Sequence, residues 1–435
     1  MKRTKQSGWS QNSALRLFFA LIAITACGTF GWMAERAGRA RKLSEQGMET
    51  PSNETADAAV RLSRMDPESR YFKAVALLDP GDIKLAVNEM EQAVGLRPND
   101  YFFWMELGRF KDEDGDVNGA IAAFSKSIEL APYYAQPHWQ LGNILLRQGQ
   151  LSAAFAEIRK AVNSDSTLFP SMAELAWGAF DGDTDGVVEA VAPRTSAEKI
   201  ALARMFTGHD KFRPSISLFR SCGDDVSAED QNNLIHDLIS AGAFMEAQEV
   251  WAAKQRLNVG DSLSAVNGIL KNYLVTEDEG FDWRHESKSV DVHFGVVRTQ
   301  GNSAAVGLEI DFSGDPHPGK PYLSRLVVVK PSTLYRLSFE ARTSDLATGG
   351  PPVVVVKQRG GSNDEIARSG PLPTGTTDSM KSIMEFKTSA STHAIDIAVA
   401  RQKCSSLPCP IFGKLWLKTF ELEELIPARI PRRDK

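Results

Sequence analysis

Residues 101–132 read YFFWMELGRFKDEDGDVNGAIAAFSKSIELAP, and residues 135–165 read AQPHWQLGNILLRQGQLSAAFAEIRKAVNSD. Shifted by 34 residues, the two stretches superpose: Leu107, Gly108, Ala120, Phe124 and Ser127 fall on Leu141, Gly142, Ala154, Ile158 and Ala161. Trp104 and Pro132 complete the first copy, and an earlier partial copy supplies Ala86, Met90, Ala93 and Pro98 in the same phase. The spacing predicts two helices per copy. Gly115-Asp116 and Gly149-Gln150 sit between the helices, where turn residues belong. Gly108 and Ala120 are small enough to let the two helices meet closely, and Pro132 cannot continue a helix.

This pattern resembles the tetratricopeptide repeat, W-x2-L-G…A-x3-F…P. The resemblance implies stacked helix pairs, because no single pair can bury its own apolar face, and a curved groove that holds other proteins. It also implies that positions 2, 5, 9 and 12 of each first helix face the groove. Here those positions are Phe102, Met105, Arg109 and Asp112, then Gln136, Trp139, Asn143 and Leu146. Met105 and Trp139 would anchor a protein segment by apolar contact, with Arg109 and Asn143 orienting it. The competing account is that Met105 and Trp139 only pack one repeat on the next. After Thr167 the signature fades while helical periodicity continues to about Lys254, so an α-solenoid of five or six helix pairs is expected over 66–261.

The 435 residues suffice for two or three domains, and a formal charge of −5 argues against a nucleic-acid partner. Leu17–Ala34, LFFALIAITACGTFGWMA, carries no charge and spans about 27 Å as a helix, enough to cross a hydrocarbon core. Trp9 and Trp32 lie towards its ends, as interfacial aromatics do. Two alternatives stand beside an uncleaved span: a cleaved signal peptide, and lipidation at Cys27, since Ile24-Thr25-Ala26-Cys27 resembles a lipobox. Gly28–Ala34 stays apolar, which favours the span. Residues 1–34 are thus expected to anchor the chain, with 35–65 a polar juxtamembrane segment holding a short helix over Ala58–Met65.

The texture changes after Asp261. Eight strand-like runs, from Val290–Val297 to Lys414–Leu422, are separated by loops rich in Gly, Pro, Ser and Asp, which predicts an all-β sandwich of jelly-roll type over 262–426 and a short tail over 427–435. Asn267-Gly268, Phe281-Asp282-Trp283-Arg284, LEIDFSG and KLWLKTFELE resemble carbohydrate-binding-module-like jelly rolls. In bacterial envelope proteins of that kind an anchor and tetratricopeptide repeats precede such a domain, some of them accompanying polysaccharide assembly. The resemblance implies an envelope protein partner and the setting of polysaccharide synthesis or export, with a glycan as the alternative ligand of the β-region. Charges on the two sides of the span are nearly balanced, and a Cys404–Cys409 bridge would place the bulk of this single-pass inner-membrane protein in the periplasm. Leu270-Lys271 departs from the Phe-Glu that many such modules carry there.

Asp282, Trp283 and Arg284 have the chemistry of a sugar site, an aromatic face beside groups that bond hydroxyls. An early strand also suits a core Trp with Asp and Arg as a structural pair, and Trp416 on the last strand is expected in the core as well. Cys404 and Cys409 enclose a four-residue loop between strands, and a disulfide is expected there; Cys222 is expected to be a small buried residue. His209-Asp210, His285, His293 and His317 are scattered, with no HExxH, nucleophile elbow or Walker loop, and Glu277-Asp278-Glu279 adds carboxylates without a cleft. Gly360-Gly361 suits a hairpin. No enzyme, cofactor or metal site is expected.

Overall fold

A computed structural model describes residues 9–78, 82–255, 280–285, 290–298, 305–315, 321–360 and 364–425. The chain divides into two compact units, Met1–Ala192 and Pro193–Lys435.

The first unit begins with α1 (Trp9–Gly47) and continues with α2 (Asn53–Leu62), α3 (Pro67–Ala76), α4 (Ile83–Leu96), α5 (Tyr101–Glu113), α6 (Val117–Leu130), α7 (Ala135–Arg147), α8 (Leu151–Ser164), α9 (Phe169–Ala179) and α10 (Thr184–Val191). The residues that define the 34-residue register are the buried ones. Ala86, Met90, Ala93, Ala120, Ala154, Ile158 and Ala161 have no exposed surface, and Phe124 is all but enclosed. The two register glycines have a steric reason. A Cβ on Gly108 would lie 2.9 Å from the Phe124 ring, and one on Gly142 would meet the Ile158 side chain and stand 3.1 Å from the Ala154 carbonyl oxygen. Helix pairs α5/α6 and α7/α8 can therefore approach only where a side chain is missing. Ser127 fastens α6 to α5 by donating to the Tyr101 carbonyl at 2.8 Å. Asp66, Asp100 and Asp116 cap α3, α5 and α6 by accepting from backbone N–H groups one turn in.

The polar stretch 35–65, expected as a juxtamembrane segment, packs on the helix that follows it. α1 runs unbroken from the apolar span to Gly47, and its last third packs on α2 and α3: Ala40 is fully buried, Ser44 nearly so, and Gly47 leaves room for the Phe72 ring. The short helix expected over Ala58–Met65 starts earlier, at Asn53, because Ser52 caps it through the Thr55 N–H.

The second unit holds α11 (Ser196–Gly208), α12 (Phe212–Arg220), α13 (Ala228–Ser240) and α14 (Phe244–Gln255), followed by ten strands among the described residues. These are β1 (Arg284–His285), β2 (Val292–Arg298), β3 (Ala305–Ser313), β4 (Leu323–Val328), β5 (Leu334–Thr348), β6 (Pro352–Arg359), β7 (Glu365–Arg368), β8 (Met380–Lys387), β9 (Ala394–Arg401) and β10 (Ile411–Glu424). They pair antiparallel into two five-stranded sheets, β1-β4-β9-β6-β7 and β2-β3-β10-β5-β8. The inner faces enclose one core that includes Leu308, Ile310, Leu337, Phe339, Ile397, Val399, Leu415 and Leu417. A bulge after Lys418, with Thr419 at φ 39°, resets the alternation in β10 so that Phe420 and Leu422 still point inward. The strands absent from the sequence-based expectation are β1 and β7, of two and four residues. Runs that short carry no readable alternation.

Cys404 and Cys409 are joined by a disulfide. Beside it lies Arg401, only 5% exposed, whose guanidinium donates to the carbonyls of Gly350, Asp315 and Cys409 and to the Thr348 hydroxyl. Cys222 is buried, as expected for a small apolar residue. The sequence around 256–279, which holds Asp261, Asn267-Gly268, Leu270-Lys271 and Glu277-Asp278-Glu279, lies outside the described residues, as do His317, Gly361 and the 427–435 tail.

Candidate protein-binding groove

The first helices of successive pairs, α3, α5 and α7, stand side by side along one face of the first unit. Two sets of contacts mark that face. The Tyr71 ring meets Phe102 edge-on at 5.4 Å and its hydroxyl donates to Glu106 Oε2 at 3.3 Å. One repeat later, Arg147 reaches back to both carboxylate oxygens of Asp112 at 2.6 Å. In the 34-residue register Tyr71, Met105 and Trp139 are equivalent, and so are Val75, Arg109 and Asn143. Tyr71, Met105, Arg109, Trp139 and Asn143 are all half-buried, as residues lining a shallow groove are. Tyr71 is the member that the sequence analysis missed. The matching positions of the earlier copy, aligned on its helix-B residues, would have found it.

The α5 part of the row is satisfied from within. Arg109 donates through Nε and Nη2 to Glu106 Oε2, at 3.2 and 2.9 Å, and its guanidinium also lies 4.8 Å from the Phe110 ring centre. It is half of an ion pair with a nearly buried carboxylate. Burial, together with the Glu106 charge and against that of Arg109, pushes the Tyr71 hydroxyl up to about 12. Met105 turns its side chain towards the apolar cluster of Ala120, Phe124, Leu141 and Ile144.

The α7 part is open. Trp139 has no ring contact, and neither its indole N–H nor the Asn143 amide has a hydrogen-bond partner among the described residues. An indole can bury apolar surface and donate one bond, and an amide can both donate to and accept from a peptide backbone. Next to them His138 is tied down, its Nδ1 2.7 Å from Glu157 and its Nε2 3.0 Å from the Pro132 carbonyl oxygen. It fixes the start of α7 and is enclosed.

The residues singled out in the β region divide differently. Trp283 is 6% exposed and packs on Phe420 with ring centres 4.7 Å apart, so its faces belong to the sandwich core. Asp282 accepts from the Trp251 indole at 3.2 Å and Arg284 Nε donates to Ser324 at 3.1 Å. The three are not gathered into a sugar-binding face. Trp416 reverses the other expectation. Leu415 and Leu417 on either side of it are fully buried, so alternation turns Trp416 to the outer surface of the β2-β3-β10-β5-β8 sheet, where it is half-buried. Glu309 and Arg342 flank it on the neighbouring strands, and the Arg342 guanidinium stacks 4.0 Å from its ring centre. Gly295 on β2, opposite Glu309, and Gly307 on β3 add no side chain of their own to that face. An aromatic ring, a carboxylate and a guanidinium share that outer face with Asp311 and Lys414.

A model of the tetratricopeptide repeat matches residues 67–100, which cover α3 and α4. The matched copy is the one whose first helix supplies Tyr71, so the groove row begins inside it. Protein FlbA of Caulobacter vibrioides is 30% identical over 108 residues, 25% of this chain but only 18% of that protein. Among solved structures, MamA from Desulfovibrio magneticus RS-1, from residue 41 to its end, is similar at 20% identity and a TM-score of 0.29, covering 44% of this chain and 94% of that one. A structure titled "CBM4 structure and function" is similar at 10% identity and a TM-score of 0.27, covering 35% of this chain and 94% of that chain. With scores this low, the assignment of a tetratricopeptide-like solenoid and a two-sheet sandwich rests on the helix register and the strand order described above. Among the described residues no group of three His, Cys, Asp or Glu side chains is placed to hold a metal ion.

Proposed function

We propose that this chain is a membrane-anchored, non-catalytic scaffold that holds a protein partner against the inner face of its tetratricopeptide repeats. The observation that carries this reading is the open α7 segment of the groove: the Trp139 ring and the Asn143 amide are presented together, while their neighbours on α5 are already paired. A partner helix or strand would bury an apolar side chain on Trp139 and bond its backbone to Asn143. The anchor is α1, which is long and apolar enough to cross a membrane and whose apolar stretch is not buried against the rest of the chain. The setting we favour is a bacterial inner membrane with the bulk of the chain periplasmic, in polysaccharide synthesis or export. The disulfide agrees with an oxidising compartment. The β-region resemblance supplies the polysaccharide link.

The second reading is a glycan-binding protein acting through the sandwich, and Trp416 on the outer face favours it in place of Trp283. Photo-crosslinking in cells separates the two, with a photoreactive residue at Asn143 of the full chain. The scaffold reading expects a discrete protein adduct that disappears when Trp139→Ala is introduced. No adduct at Asn143, together with polysaccharide retention that Trp416→Ala abolishes, would replace it by the second reading.

A further inference from the structure

The α2–α3 loop lies beside the end of the apolar run of α1. α1 leaves its apolar run at Ala34, and two residues later Arg36 turns sideways. Its Nε and Nη2 donate to the carbonyls of Leu62 and Arg61, at 3.1 and 3.0 Å, closing the C-terminal end of α2. The Arg36 guanidinium also lies 4.6 Å from the centre of the Trp32 ring, the aromatic at the end of the span. α2 therefore runs antiparallel to the last third of α1 and aims its C-terminus back towards the apolar segment. At about 1.5 Å of rise per residue, Arg36 stands about 3 Å beyond the last apolar residue, and the headgroup layer is about 5–7 Å deep on each side. The α2 C-terminus is thereby brought to headgroup level.

The residues at and just after that terminus have the matching chemistry. Arg61 and Arg64 are exposed and make no ion pair among the described residues, and Met65 between α2 and α3 is 77% exposed. The acids near them are already engaged: Glu35 with Arg39, Asp57 with Lys73, and Asp66 and Glu68 with Arg41. We infer that Arg61–Met65 is a lipid-contact loop, in which Arg61 and Arg64 meet the phosphates of anionic headgroups and Met65 dips towards the acyl boundary. The inference rests on α1 being a retained membrane span. It adds that the repeats are docked on the bilayer and not merely tethered to it, since no linker separates span from solenoid.

The test uses the full chain in vesicles of phosphatidylcholine, with or without phosphatidylglycerol. An environment-sensitive fluorophore is attached in turn to Met65→Cys, Ile24→Cys and Tyr133→Cys variants lacking the exposed Cys27 thiol. The expected result is strong quenching at position 65 by a headgroup-attached quencher, deepened by phosphatidylglycerol. Arg61→Glu with Arg64→Glu should cut it several-fold, to the level at position 133. Quenching at position 65 equal to that at 133, while an acyl-chain quencher reaches position 24, would overturn the loop contact and leave the span standing. Absence of quenching at position 24 would overturn both.

Discussion

Trp251 on α14 donates its indole N–H to Asp282 Oδ2 at 3.2 Å, and its ring meets Phe281 edge-on at 5.8 Å. Phe281-Asp282-Trp283 thus holds helix to sandwich within the second unit. Trp283 joins the sandwich core, while Phe281 and Asp282 both meet Trp251 on the helix. The arrangement also decides how the groove can be tested. Cutting the chain after Asp261 would strand Trp251 without its partner, so substitutions in the intact chain are the sounder probe.

Asp282 also faces a buried charge. Arg325, on β4, is 7% exposed with its Nε unbonded, and burial pushes its guanidinium down to about 10 against the opposing pull of Asp282. Replacing Asp282 by Ala should cost about 3 kcal/mol, because the cation stays buried with its countercharge gone. Urea denaturation followed by tryptophan fluorescence will register this as a lower midpoint. Trp251→Phe, which loses the hydrogen bond together with part of a buried ring, should cost at least about 1 kcal/mol.

Tyr71 makes the first unit sensitive to alkali. Its hydroxyl is raised to about 12 by burial beside Glu106, whereas in the unfolded chain it ionises near 10. A group raised in this way contributes stability that is whole below pH ~10 and is lost as pH climbs through ~12. Absorbance titration should show Tyr71 ionising late, and Tyr71→Phe should flatten the stability loss across that interval. An unchanged alkaline profile in the variant would refute the assignment.

Gly142 is expected to tolerate no larger side chain. Leu at this position would drive into Ile158 and the Ala154 carbonyl, and overpacking of this kind costs about 1–3 kcal/mol. The same substitution at Gly149, where a Cβ meets nothing but φ is 72°, would act through backbone strain alone. Thermal melts of the two variants should differ in partner capture as well, since only Gly142 lies on the groove helix.

Arg401→Lys should weaken the sandwich by about 3 kcal/mol or more. One ammonium cannot reach the Gly350, Asp315 and Cys409 carbonyls and the Thr348 hydroxyl that the planar fork joins. Limited proteolysis at the 402–410 loop would report the loosening, and a variant as resistant as the parent chain would count against this role.

Much of the fold could be read from residue order because it depends on local spacing. The 34-residue recurrence of Leu-Gly and Ala marks helix pairs, since the small residues are needed where two helices touch. The apolar run at Leu17–Ala34 and the alternation in β3, β5 and β10 are likewise properties of neighbours in sequence. The alternation of Leu415, Trp416 and Leu417 was there to be used for Trp416, which faces outward because its neighbours face in.

What depended on distant partners could not be read. Nothing in Arg109 announces that Glu106 will neutralise it while Tyr71 approaches from the previous repeat, and nothing in Arg36 announces the carbonyls of α2. Asp282 looked available until Trp251, 31 positions earlier, occupied it. Spacing along the chain determines which faces are apolar and hence which layers form. Charges and hydrogen-bonding groups find their partners only when those layers meet, and only the tertiary structure decides which of them remain open to bind.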